Sequence, residues 1–132
     1  MGRDDEAEAL LRNAITILEQ ALGPDHPEVA SAWNNLGSTL ADLDDAAAAY
    51  RTALAAKERV LGAEHPALAI TLNNLAVNAR RRGEVGEAEE IYVRALGILE
   101  GRVDPDHPNL ALTRRNLERL REEGKKGQGS TV

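Results

Sequence analysis

An all-α fold of about six helices stacked in pairs is what this 132-residue sequence predicts. Three observations carry that expectation. Ala and Leu, both strong helix formers, supply 40 of the residues. All five prolines fall in three short loops, and one set of markers recurs three times along the chain. Phe and Cys are absent, and the only aromatics are Trp33, Tyr50 and Tyr92, too few for a sandwich or barrel. The length suits one domain.

The first marker is Leu22-Gly23-Pro24-Asp25-His26-Pro27, which returns as Leu61-Gly62-Ala63-Glu64-His65-Pro66 and as Val103-Asp104-Pro105-Asp106-His107-Pro108. The second is Asn34-Asn35-Leu36, repeated as Asn73-Asn74-Leu75 and Arg115-Asn116-Leu117. Both sets are spaced by 39 and then 42 residues. A bulky residue (Leu11, Tyr50, Tyr92) precedes each His by 15, and an alanine (Ala14, Ala53, Ala95) follows that residue by three. Agreement of several markers in one register defines a repeat of two helices, A after each His-Pro and B before the next.

The elements come in order along the chain. A B helix over 4–22 carries Ala7, Leu10, Leu11, Ala14, Ile15, Leu18, Ala21 and Leu22 at helical spacing, a stripe broad enough for two neighbours. Gly23 then suits a left-handed exit, and Pro27 suits the first position of an A helix over 27–42, with His26 as its cap. The B helix over 45–61 must begin after Asp42-Leu43-Asp44-Asp45, a turn without glycine. This 39-residue unit lacks three residues, nearly one helical turn, so helix A is expected to lose its last turn and Asp44 or Asp45 to cap the next helix. An A helix over 66–82 starts at Pro66 after His65, and Gly83 turns the chain into a B helix over 85–101. Asp104 replaces glycine in the third loop, so that helix is expected to end raggedly. The last A helix, 108–123, is polar through Arg114, Arg115, Glu118, Arg119, Arg121, Glu122 and Glu123. The array thus spans 1–123 as a partial repeat (4–26), two repeats (27–65 and 66–107) and a C-terminal helix (108–123). Residues 124–132, rich in Gly and Lys, read as a disordered tail.

Composition excludes several classes. Without cysteine there is no disulfide scaffold, Cys-based zinc site or Cys nucleophile. No apolar run approaches the roughly 20 residues of a membrane span, and the N-terminus lacks a signal-peptide core, so a soluble cytoplasmic protein is expected. A net charge of −6 argues against nucleic-acid binding, which depends on cationic neutralisation of phosphate. The three histidines recur once per unit, in successive loops, and are read as helix caps instead of metal ligands or catalytic bases. The glycines form no nucleotide-binding pattern. No enzyme, metal or cofactor is expected.

Helix pairs of 42 residues with Asn-Asn-Leu in helix A and a Leu-Gly-x-x-His-Pro exit resemble tetratricopeptide repeats, above all the kinesin-light-chain-like subclass. The family's small and large positions fall on Leu72, Leu75, Ala76, Gly83, Ala88, Tyr92 and Ala95. In the preceding unit they fall on Trp33, Leu36, Gly37, Ala46, Tyr50 and Ala53. The resemblance implies a right-handed superhelix whose A helices line a concave groove that holds peptides. Its groove positions correspond here to Asn34, Asn35, Ser38, Asn73, Asn74, Val77, Arg80, Arg81, Arg115, Asn116 and Arg119.

The residue types suit that role, because an Asn amide both donates and accepts and so matches the backbone of an extended chain. Two alternatives stay open. One Asn of each pair, above all Asn34 and Asn73, could instead bridge adjacent A helices, and the arginines could be paired with Glu84, Glu87 and Glu118. Arginines facing the groove would favour an acidic or carboxylate-ended peptide. The expected function is a non-enzymatic protein-interaction module. The alternative is a structural or self-assembling segment of a larger regulator, pairing with another copy or with further repeats through the uncovered first helix.

Overall fold

A computed structural model describes the backbone of residues 3–129 and the side chains of residues 5–125. Six α-helices succeed one another in chain order: α1 (Arg3–Leu22), α2 (Pro27–Thr39), α3 (Leu43–Leu61), α4 (Ala69–Arg81), α5 (Val85–Leu99) and α6 (Pro108–Gly129). A short 3-10 turn, Pro66–Leu68, leads into α4. Among the described residues there is no strand. Each helix packs mainly on its neighbours in sequence, as in a solenoid in which every unit buries its face against the next.

The core is therefore a row of local clusters. Ile15, Ala32, Leu36 and Ala49 join the first three helices. Tyr50, Leu54, Leu72, Leu75, Ala95 and Ile98 form the next cluster, and Ala76, Ala88, Tyr92, Leu117 and Leu120 the last. Close approach depends on small residues: a Cβ on Gly37 would lie 2.6 Å from the Tyr50 ring, so only glycine fits there. The ends differ as the sequence suggested. On α1, Leu10 and Ile17 are 70 % and 64 % exposed. On α6, Arg114 and Arg121 turn outward and pair with Glu100 and Glu89 at 3.7 and 3.0 Å.

The three loops share one device. Nδ1 of His26, His65 and His107 accepts the backbone N–H of Glu28, Ala67 and Asn109 at 3.0–3.1 Å, with proline next in line at the first position of the helical turn. Three details depart from expectation. The third exit is orderly, because Gly101 takes a φ of +82° and the Arg102 guanidinium donates to the carbonyls of Gly97 and Ile98 at 3.2 Å. In the shortened unit α2 ends at Thr39, one turn early, but the cap of α3 is Asp42, whose carboxylate accepts the Asp45 N–H at 2.9 Å. Asp44 and Asp45 lie inside the first turn. Finally, α6 continues to Gly129, so 124–129, expected in a disordered tail, extend the helix, while 130–132 lie outside the described residues. Lys and Gln are good helix formers, and lysines near a helix C-terminus complement its dipole.

Candidate functional site

The A-type helices α2, α4 and α6 stand in succession, and α4 forms one cleft on each side. The first, about 120 Å³, is lined by Gly37 and Ser38 of α2, Tyr50 of α3, and Asn74, Val77, Asn78 and Arg81 of α4, among others. The second, about 210 Å³, is lined by Val77 and Arg80 of α4, Tyr92 of α5, and Asn116, Arg119 and Leu120 of α6. The clefts are repeat equivalents. Tyr50 and Tyr92, Asn74 and Asn116, and Val77 and Arg119 each stand 42 residues apart, and Val77 borders both.

Seven of the eleven residues singled out in the sequence line these clefts: Ser38, Asn74, Val77, Arg80, Arg81, Asn116 and Arg119. The other four do not. Asn73 is 6 % exposed and donates to Ala69 O at 3.0 Å and Thr113 Oγ1 at 2.8 Å, binding α4 to α6. It is a bridge and no part of a groove. Asn34 is half-buried and accepts from Asn74 Nδ2 at 3.3 Å, a second link between A helices. Asn35 and Arg115 are exposed outside both clefts. Asn35 holds the register of Asn74, but among the described residues the helix before α2 is the B-type α1, and no A-type helix supplies the second wall.

The charges divide in the same way. Arg80 reaches Glu123 at 3.0 Å, and Arg82 binds Glu87 at 3.1 Å and Asn78 Oδ1 at 2.7 Å. Burial pushes the Glu87 carboxyl up, but hydrogen bonds and charge from Arg51 and Arg82 outweigh it and hold the pKa below the usual range. Arg81, Arg115 and Arg119 make no ion pair with the described residues. Thus Arg80, Arg82, Arg114 and Arg121 are paired on the surface, but only Arg82 with one of the expected carboxylates, Glu87, and the others with Glu123, Glu100 and Glu89. Arg81 and Arg119 stay available, one in each cleft.

The floors were missed in the sequence. Tyr50 and Tyr92 fill the core as expected, yet each also closes a cleft from below. The Tyr50 hydroxyl lies 3.0 Å from Ser38 Oγ, whereas Tyr92, 2 % exposed, makes no hydrogen bond with the described residues, Val77 holding the register of Ser38. Burial pushes the Tyr92 phenol up, Arg80 and Arg119 pull it back, and Glu123 pushes it up again, so both guanidiniums act on the same cleft. Asn78 was also missed. It is 4 % exposed and donates to Leu43 O at 2.8 Å, fixing the start of α3 on α4. An Asn four residues beyond Asn74, within the same helix, was the available signal.

Other chemistry finds few groups to use. Each histidine commits Nδ1 to its cap, and among the described residues no three His, Asp or Glu side chains gather to hold a metal ion. Nor is any described helix long and apolar enough to cross a membrane.

A family profile described as tetratricopeptide repeat matches residues 1–49 and 39–101. Among solved structures, BtubC (BKLC) from P. vanneervenii is similar with a TM-score of 0.81 and 28 % identity over 96 % of this chain and 52 % of that one. The nearly identical TPR-like repeats of a kinesin light chain-type protein from Podosopora anserina give a TM-score of 0.81 at 22 % identity, over 97 % of this chain and 62 % of that one. The chain therefore spans between half and two thirds of the length of these structures. No protein with a curated description matches it in sequence.

Proposed function

The chain belongs to the tetratricopeptide repeat family, whose members are in general protein–protein interaction modules, and from that premise we propose that its two clefts hold an extended peptide of a partner protein. The observation that carries the reading is the repeat relation between the clefts: a tyrosine floor and an asparagine on one wall recur on both sides of Val77, and each cleft holds one uncommitted arginine, at a different register. An extended segment has unpaired N–H and C=O groups that the amides of Asn74 and Asn116 can meet without regard to side chains. Arg81 and Arg119 then favour carboxylates, the second cleft most, where the Tyr92 hydroxyl adds a donor. The partner is accordingly an acidic segment. The chain acts in the cytoplasm and catalyses no reaction.

A screen of acidic, neutral and basic peptides on an array tests this. Asn74→Ala combined with Arg119→Ala is expected to abolish the acidic hits while circular dichroism stays unchanged. Survival of binding in that double variant would remove the clefts from consideration.

A second reading has its own observation. Leu10 and Ile17 leave an apolar face uncovered on α1, which suits pairing with another copy or with further repeats of a longer chain. Sedimentation that remains monomeric at all concentrations, with Leu10→Glu causing no change, would dispose of self-pairing.

A further inference from the structure

A trough of another kind runs between the B-type helices α1 and α3, with α2 beneath it. It consists of two hollows, of about 320 and 230 Å³, that share Arg12 and Trp33. Thr16 and Glu19 of α1 wall the larger, and Asp45, Ala48 and Thr52 of α3 wall the smaller. Trp33, the one tryptophan of the chain, is half-buried where the two meet.

The repeat identifies what the trough lacks. Between α3 and α5 the equivalent gap is crossed by two ion pairs, Arg51 with Glu87 at 3.0 Å and Arg94 with Glu58 at 2.9 Å. One unit earlier those registers fall on Arg12 with Asp45 and on Thr52 with Glu19. Neither pair forms. Arg12 turns along its own helix to Glu8 at 3.0 Å, and Thr52, too short to cross, donates to the Ala48 carbonyl at 2.9 Å. Asp45 and Glu19 are left without an ion pair among the described residues. Ala48 and Ala49 stand where the next unit has Glu90 and Ile91, which keeps the gap wide.

Arg94 displays the kind of side chain that fits such a gap. Its guanidinium reaches from α5 to Glu58 and also donates to the Ala63 carbonyl at 3.1 Å. The registers of those two acceptors in the first unit are Glu19 and Pro24. The first trough adds an indole, since Trp33 holds the register of Leu72, and a guanidinium plane stacks on an indole far better than an ammonium does. Arg12 does not oppose a further cation there, because Glu8 balances its charge.

An uncommitted carboxylate beside an aromatic ring, at the place where the next unit inserts an arginine, calls for an arginine. We propose that this trough seats an arginine side chain of a partner protein, its guanidinium paired with Glu19, as Arg94 is with Glu58, and stacked on Trp33. The site uses none of the polar residues of the A-helix clefts and takes the opposite charge, so it does not depend on their holding an acidic segment. A chain with both sites joins an acidic segment to a basic one.

With a single tryptophan, the intrinsic emission of the whole chain reports on this trough alone. Two acetylated and amidated pentapeptides test the proposal by titration: GSRSG, and its counterpart with citrulline, the neutral isostere, in place of arginine. The arginine peptide is expected to saturate the change in Trp33 emission at about tenfold lower concentration than the citrulline peptide, the worth of a charge-assisted bond. Glu19→Gln should bring the two peptides level with circular dichroism unchanged. Thr52→Arg, which supplies the missing arginine from α3 itself, should fill the gap and weaken the arginine peptide by about tenfold. Glu122→Gln, which removes a carboxylate from α6, should leave the preference intact. Equal affinity of the two peptides, emission that does not change with millimolar arginine peptide, or a preference that survives Glu19→Gln would each overturn the proposal. So would undiminished binding in Thr52→Arg, or a preference lost equally in Glu122→Gln. Spermidine saturating before the arginine peptide would overturn it in favour of a free polyamine.

Discussion

Ser38 Oγ lies 3.0 Å from the Tyr50 phenol oxygen, whereas the equivalent pair one unit later, Val77 and Tyr92, has no hydrogen bond. One repeat thus ties its core tyrosine to the groove wall, and the next leaves the hydroxyl bare beneath Arg80 and Arg119. Tyr50→Phe and Ser38→Ala should each cost about 0.5–1.5 kcal/mol, and the double variant hardly more than either alone, because both remove one bond. Tyr92→Phe should be nearly neutral for stability, yet weaken any acidic peptide held in the second cleft. Urea denaturation of the four variants, with peptide titration for Tyr92→Phe, decides it. A large stability loss in Tyr92→Phe would mean that its hydroxyl has a partner after all.

Asn73 illustrates a polar residue whose role is structural. Its amide donates twice inside the array, and Oδ1 is buried without a partner. Asn73→Ala should cost about 1–3 kcal/mol through the lost bonds and the space left behind. Asn73→Asp should cost more, since a buried carboxylate would face the Ala69 carbonyl and the Thr113 hydroxyl, and that hydroxyl already donates to Asn109 O at 2.7 Å. Asn35→Ala, exposed, should stay within about 0.5 kcal/mol of the unaltered chain. Thermal melts rank the three, and an Asn35→Ala loss equal to that of Asn73→Ala would contradict the assignment of the bridge.

The contrast between these asparagines shows what was legible beforehand. Repeat register identified helices, caps and the A-helix face, because His26, His65 and His107 do the same local job each time and local chemistry is written in adjacent residues. Register could not separate Asn73, buried between α4 and α6, from Asn74, which links to Asn34 and still borders the cleft, since one position of helical phase decides how an amide is placed. The partner of Asn73 is Thr113, 40 residues away, and nothing near Asn73 announces it. The arginines were likewise ambiguous until Glu123, Glu87, Glu100 and Glu89 were seen to engage four of them. Lys57 was equally hard to read, because a lysine at the register of Leu18 and Leu99 reads as a surface residue until Thr71, its partner at 2.9 Å, is placed.

The turn between α2 and α3 gives a sharper local test. Asp42 accepts the Asp45 N–H, whereas Asp44 and Asp45 only add negative charge to the first turn. Asp42→Ala should therefore cost about 1 kcal/mol, the usual worth of such a cap. Asp44→Asn and Asp45→Asn should each cost less, about 0.3–1 kcal/mol at low ionic strength, and less again in salt. A cap effect that disappears in high salt would show that charge, and not the hydrogen bond, is the operative term.

Lys57 makes a prediction with a definite pH dependence. Burial lowers its pKa below 10.5, so the folded chain holds that proton less tightly than the unfolded chain does. Where the unfolded state binds more protons, stability rises with pH. The penalty for the buried charge is therefore complete below the lowered pKa and fades as pH climbs through it towards 10.5. Lys57→Met removes the charge and places an aliphatic chain at the register of Leu99, for a gain at neutral pH on the order of 1 kcal/mol, reduced by the lost bond to Thr71. The advantage over the unaltered chain should shrink as pH climbs through the lowered pKa towards about 10.5, the ordinary lysine value. The Tyr92 phenol, raised by burial, titrates in both proteins and cancels in the difference. Urea midpoints of the pair at neutral and alkaline pH measure this, and a gap that widened with pH would show that the ammonium is better solvated in the folded chain than its burial implies.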